Sequence, residues 1–223
     1  DPRSVIIGGR DTGNKIGLDL GNGSNFNVGN PDPGLNCPLP VSLGKYTRVV
    51  VGKGSLTMAS GANAHLCQTF VFMASGYGKV PSSDGTAPCT CTGDSYSGTV
   101  SIGSGAVVDW SAPNLISGRR PTKSEVDRTT NPSAVSPYED VGLWTEAGGP
   151  STISGGGNTR MAGVFFLGNA DQFTLAGNAG ANVYLSAQFI STRMKVTGGA
   201  VVNLVLNPFD AVPVVIPNIA LVR

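Results

Sequence analysis

The sequence predicts an all-β chain, a single-stranded parallel β-helix (β-solenoid) with coils of about 21–22 residues. Three observations carry this expectation. First, similar segments recur: Thr152-Ile153-Ser154-Gly155-Gly156, Thr174-Leu175-Ala176-Gly177-Asn178 and Lys195-Val196-Thr197-Gly198-Gly199. Their apolar residues Ile153, Leu175 and Val196 lie 22 and 21 positions apart. A fixed period near ~20 residues marks short-stranded coils that stack because none can bury its apolar face alone. Second, 32 glycines and 15 prolines in 223 residues suit many short strands joined by tight turns. Third, 40% of residues are hydrophobic and only 13% charged, which argues against disorder, since enough apolar surface exists to offset chain entropy. Residues 1–223 read as one β domain of the larger kind.

Taken in order, Val5-Ile6-Ile7 and the alternation Ile16, Leu18, Leu20 read as strands. The second is followed by a turn at Gly21-Asn22-Gly23, where apolar alternation gives way to turn residues. Asn30-Pro31-Asp32-Pro33-Gly34 reads as a loop. Ser55-Leu56-Thr57-Met58 and Thr99-Val100-Ser101-Ile102 are further copies of the repeat. Met58 and Ile102 are 44 positions apart, which predicts two coils, with an intervening one carrying Cys67 to Met73. Residues 112–150 break the period and read as a long excursion loop, charged with both signs around Arg119, Arg120, Lys123, Glu125, Asp127 and Arg128. Within it, residues 124–128 suit one helical turn between Pro121 and Pro132. Residues 207–223 (NPFDAVPVVIPNIALVR) form an apolar, proline-punctuated extended C-terminal tail. It either caps the last coil or pairs with another subunit.

The cysteines are Cys37, Cys67, Cys89 and Cys91. An even count in Gly/Pro/Thr-rich sequence favours two disulfides and an oxidising compartment over free thiols or zinc. Cys89-Thr90-Cys91 lacks the two-residue gap of common zinc sites, and His65 lies too close to Cys67 for ordinary ligand spacing. Bonding Cys89 to Cys91 would close a very small ring, which favours Cys37 and Cys67 each pairing with one of that doublet.

No catalytic, cofactor-binding or metal-binding residue emerges. His65 is the only histidine, and on a strand a packed or solvated histidine is the commoner case. Ser42-Leu43-Gly44-Lys45 has Ser/Lys spacing but lacks its companion motifs. Gly52-Lys53-Gly54 is no phosphate loop. The carboxylates Asp19, Asp84, Asp94, Asp109, Asp171 and Asp210 are isolated, whereas glycoside hydrolysis needs a pair. The expectation is therefore a non-enzyme without a cofactor. A formal net charge of +1 gives no basic patch of the kind nucleic acid requires. No apolar run is long enough for a membrane span. The chain opens on Asp1-Pro2, read as a processed chain or an ectodomain whose anchor, if any, lies elsewhere. Exposed aromatics are the candidate contacts for a partner or a glycan: Trp144, Tyr138 and Trp110, with Tyr77 and Tyr96 as further groove aromatics.

The segments from Glu139 to Glu146, Ile153 to Gly157, Gly163 to Ala170 and Phe173 to Asn178 resemble a family of exported actinobacterial surface proteins associated with pilus assembly (TadE/TadG-like). The repeat is also similar to the β-solenoids of bactofilins and of pilus-tip proteins. The resemblance covers residues 45–206 and implies a structural or adhesive cell-surface module that is secreted and is self-assembling or pilus-associated. Its implied partners are copies of itself, other cell-surface or pilus proteins, and cell-wall glycans. It carries over no catalytic residue. The alternative expectation is a carbohydrate-binding or polysaccharide-active β-helix protein.

Overall fold

The computed structural model describes residues 3–7, 16–29, 41–42, 46–52, 54–73, 99–113, 126–127, 140–146, 149–155, 159–167, 172–177, 182–198 and 201–204. The chain lays down β1 (Arg3–Ile7), β2 (Ile16–Leu20) and β3 (Asn25–Val28), then a short β4 (Val41–Ser42). A second pass holds β5 (Thr47–Val51), β6 (Ser55–Met58) and β7 (Asn63–Leu66). A third holds β8 (Thr69–Met73), β9 (Val100–Ile102) and β10 (Val107–Ser111), followed by the short β11 (Val126–Asp127). Next come β12 (Val141–Thr145), β13 (Ser151–Gly155), β14 (Thr159–Leu167) and β15 (Phe173–Gly177). The last strands are β16 (Asn182–Ser191), β17 (Met194–Gly198) and β18 (Val201–Leu204). Among the described residues there is no helix, and every strand pair is parallel.

Pairing sorts the strands into three columns. Column one is β1-β5-β8-β12, column two is β2-β6-β9-β13-β15-β17, and column three is β3-β7-β10. The long β14 joins columns three and one: residues 159–162 pair with β10, and residues 164–166 pair with β12. β16 lies along all of β14, and β18 along the start of β16. The ten-stranded sheet thus holds columns one and three, and the six-stranded sheet is column two. Successive passes visit the columns in the same order.

All three columns feed one core. Val49, Val71, Leu143 and Phe165 enter it from column one, Met58, Ile102, Ile153 and Leu175 from column two, and Leu66, Val108, Trp110 and Met161 from column three. The sequence explains this locally. In β6 and β7 the residues alternate between buried (Leu56, Met58; Ala64, Leu66) and part-exposed (Ser55, Thr57; Asn63, His65), the period-two pattern of a strand with one face covered. Between columns two and three the chain turns three times through a four-residue turn closed by the same backbone hydrogen bond. The amides of Ser24, Ala62 and Ala106 donate to the carbonyls of Gly21, Ala59 and Gly103 at 3.1, 3.0 and 3.1 Å. The central pairs are Asn22-Gly23, Ser60-Gly61 and Ser104-Gly105, and at Gly61 φ is 86°, a conformation glycine adopts without penalty.

The observed spacings explain both the success and the failure of the sequence period. Ile153 pairs with Leu175, and Leu175 with Val196, as the 22- and 21-residue steps require. Val51 with Met73 and Trp144 with Phe166 are also 22 apart. Met58 and Ile102, however, are direct neighbours in register. The expected intervening coil does not exist there: β7 and β8 belong to columns three and one. A one-pass step with an insertion of about one period has the same length as two steps. Likewise Ile102 pairs directly with Ile153, so the 112–150 excursion adds no coil. The chain is back in column one by β12, and Val126–Asp127 is a strand paired with β4 rather than a helical turn. The tail 207–223 lies outside the described residues.

Close approach at one corner yields a test. Gly29 has φ 71°, and a Cβ there would fall on the Cys67 backbone carbonyl oxygen, which already accepts the Thr69 hydroxyl at 2.9 Å. Gly21 has open space around its Cβ direction. Gly29→Ala is expected to lose more than about 1 kcal/mol in urea unfolding, and Gly21→Ala to stay within about 0.5 kcal/mol. Equal losses would contradict the close approach.

Candidate functional site: outer rows and the insertion corner

Residues alternating with core positions face outwards and align in register from strand to strand. At about 4.8 Å per strand, a row of six runs for about 24 Å. In column two the outer row is Asp19, Thr57, Ser101, Thr152, Thr174 and Lys195. Short hydroxyl side chains with charges at either end form an ordinary solvated sheet face.

Column one differs. Its outer row is Ile6, Val50, Phe72, Trp144, Phe166 and Ile190. Every member is apolar and three are aromatic. Trp144 is 41% exposed and Ile6 55%, and the Trp144 and Phe166 rings lie 4.7 Å apart at 35°. Their placement follows from strand parity: Leu143 and Phe165 turn into the core, so the next residue in each strand turns out.

Column three carries a polar outer row: Asn27, His65, Asp109 and Arg160. Asp109 sits between the core residues Val108 and Trp110 and so belongs to the outer layer, yet it is only 6% exposed. Ser111, Ala112 and Ala162 beside it are also buried, the two alanines in a small cluster separate from the main core. His65 Nδ1 and Asn27 Oδ1, one register step apart, are buried without a hydrogen-bond partner.

Between these two rows lies the corner where column three passes to column one. Residues 114–139 leave at Pro113 and return at Asp140, and the neck is pinned: the Asp140 amide donates to the Pro113 carbonyl at 3.3 Å, and the Val164 amide to the Asp140 carbonyl at 2.7 Å. A second insertion leaves the same corner after β3. The insertions depart on either side of β7, and their strands β4 and β11 pair through Val41 with Val126 and Ser42 with Asp127. In the pass between them the corner is the tight Cys67-Gln68 turn, where Gln68 has φ 46° and its amide donates to Ser111 Oγ at 3.0 Å.

The expected site residues separate on this frame. Trp144 stands in the exposed apolar row. Trp110 corrects the expectation of a partner contact: it is 1% exposed, and its indole N–H donates to the Thr69 carbonyl at 3.2 Å. Parity decides this, because Trp110 is flanked by the outward Asp109 and Ser111. Tyr138, Tyr77 and Tyr96 lie outside the described residues. Cys67 is 1% exposed; Cys37, Cys89 and Cys91 lie outside the described residues. The polar row of column three was not foreseen. Its signal was present as a dipeptide at each strand, outward polar then inward apolar: Asn27-Val28, His65-Leu66, Asp109-Trp110 and Arg160-Met161.

Among the described residues no three His, Cys, Asp or Glu side chains gather as a metal site would require, and no helix is long and apolar enough to cross a membrane. Compared with protein-family models, with curated proteins and with solved structures, the chain matches none.

Proposed function

We propose that this chain is a non-catalytic structural or adhesive module of the bacterial cell surface. In this reading the three columns are the faces of a single-stranded parallel β-helix, and the common order in which each pass visits them supports it. The observation that carries the adhesive role is the outer row of column one. Polar or hydroxyl side chains dominate the other two outer rows, whereas this one offers only apolar groups, with Trp144 and Ile6 open to solvent. Apolar surface aligned along a rigid body favours association with a partner surface. The extracellular setting rests on the four cysteines and on the resemblance to exported pilus-associated proteins. Cys67, buried beside the insertion corner, would then pair with one of the three remaining cysteines.

Binding of the labelled chain to intact bacterial cells, before and after protease treatment of their surface, tests the proposal. Saturable binding that falls at least tenfold on Trp144→Ser and disappears after protease treatment is the expected result. Unfolding of Trp144→Ser should stay within about 1 kcal/mol of the parent, because the side chain is already half in water. Binding that ignores the substitution would defeat the assignment.

A second reading, a carbohydrate-binding module, is favoured by the tilted Trp144–Phe166 pair, since exposed aromatic faces suit sugar rings. It predicts that protease-treated cells still bind and that isolated cell-wall glycan competes.

A further inference from the structure

The stacked passes are closed along their length but open at both ends. At the first end the inward residue Val5 of β1 is 38% exposed, whereas Val49, Val71 and Leu143, which follow it in register, are buried. At the last end Val196 and Met194 of β17 are 62% and 47% exposed, whereas Leu175 and Phe173, their register neighbours, are buried. Among the described residues β1, β2 and β3 each have an unpaired edge at the first end. At the last end the unpaired edges are those of β17, β18 and residues 188–190 of β16. An unpaired strand edge with inward apolar side chains beside it is a template for further pairing.

The two ends are also complementary. Every strand pair is parallel and every pass visits the columns in the same order, so the first pass of one copy can follow the last pass of another without reversing any strand. The registers fix what then meets. In column two the inward rows set Leu20 on Val196 and Leu18 on Met194. In column one Val5 falls on Phe189 and Ile6 on Ile190, so the apolar outer row runs on from copy to copy. The outer row of column two carries charge only at its two ends, Asp19 at the first and Lys195 at the last, and both side chains are exposed. Within one copy these opposite charges stand at far ends of the row. Between stacked copies they come within one strand spacing, about 4.8 Å.

We propose that the two ends form a self-recognition interface, through which copies of this chain stack head to tail with β16, β17 and β18 of one copy on β1, β2 and β3 of the next. Edge hydrogen bonds supply direction, burial of Val5, Met194 and Val196 supplies apolar contact, and the Asp19–Lys195 pair selects the register. Pairing of two like ends gains no Asp19–Lys195 contact and needs antiparallel strands. The contact joins two different faces, so it leaves a free face at each end and repeats into a fibre. Such stacking leaves the outer rows of all three columns open and is independent of what the apolar row of column one binds.

Sedimentation velocity and light scattering of the full chain over a concentration series at low salt test the stacking. The mean mass of the parent should rise continuously with concentration and not level off at a dimer. Lys195→Asp and Asp19→Lys each set like charges together and should weaken association at least about fivefold. The double variant Asp19→Lys/Lys195→Asp exchanges the charges and should restore the parent association to within about twofold. Val196→Asp, at a side chain already largely in water, should keep the melting midpoint of the dilute chain and abolish growth. A parent that stays monomeric at every concentration, as it would if another part of the chain covered either end, overturns the proposal. So does a mass that stops at a dimer, or a double variant no better than the single ones; the charge exchange decides the matter even if Val196→Asp fails to fold.

Discussion

Leu175→Asp is expected to abolish the single cooperative melting transition of the chain. Leu175 is 3% exposed and lies in β15, paired on one side with Ile153 and on the other with Val196. Removing a buried leucine side chain commonly loses about 2–5 kcal/mol. The carboxylate adds a desolvation penalty, and Leu175 stands in an inward row flanked by Ile153 and Val196, neither of which can pair with it. Against a typical total stability of about 5–15 kcal/mol, the combined loss is enough to detach the last turns or unfold the chain. The matched control is Thr174→Asp. Thr174 is one residue earlier, in the outer row, with Lys195 as its register neighbour, so a carboxylate there stays solvated beside a cation. Its midpoint should remain within a few degrees of the parent. Calorimetry or circular dichroism decides between them; a Leu175→Asp chain that melts in one transition near the parent midpoint would refute the inward assignment.

The same residues show what the sequence could reveal. Between Ile153 and Val196 no insertion interrupts the passes, so the structural period is written directly into the residue numbers. Upstream, the inserted lengths hide it. The step from Met58 to Ile102 looked like two coils because its insertion happens to equal about one period, and only strand pairing distinguishes the cases. The parallel all-β character was legible because it follows from composition and short-range alternation. The grouping into columns was not, because it depends on which corner carries each insertion. The polar row of column three shows the same limit. Asn27 and Arg160 are 133 positions apart, and the steps between them, through His65 and Asp109, are all of different length. The two tryptophans make the point at single-residue scale. The sequence marks both as surface aromatics, yet one is core and the other exposed. Near Trp110 the polar Asp109 and Ser111 alternate with Val108 and mark the inward parity. Near Trp144 the preceding Gly142-Leu143 gives no alternation to read.

Trp110→Ala should be the most damaging neutral substitution, at about 3–5 kcal/mol. Trp110 reaches from column three across the core to column one. Its ring meets Phe165 edge to face at 5.0 Å and 82°, and its N–H satisfies the buried Thr69 carbonyl. From Phe165 the aromatic contacts continue to Phe189 at 5.4 Å and from Phe189 to Phe173 at 4.9 Å, the last being in column two. All three columns are therefore linked through one chain of rings, and truncation at Trp110 opens a cavity at its column-three end. Trp110→Phe separates the two contributions. It keeps most of the volume but leaves the Thr69 carbonyl without its donor, so a loss of about 1–3 kcal/mol is expected. Trp144→Ala is the internal reference, with a loss of no more than about 1 kcal/mol, because its ring is already partly hydrated. Denaturant midpoints at constant slope measure all three. The order Trp110→Ala, then Trp110→Phe, then Trp144→Ala follows from the opposite parities of the two tryptophans. If Trp110→Ala and Trp144→Ala lost equal amounts, Trp110 would not be the residue that ties the columns together.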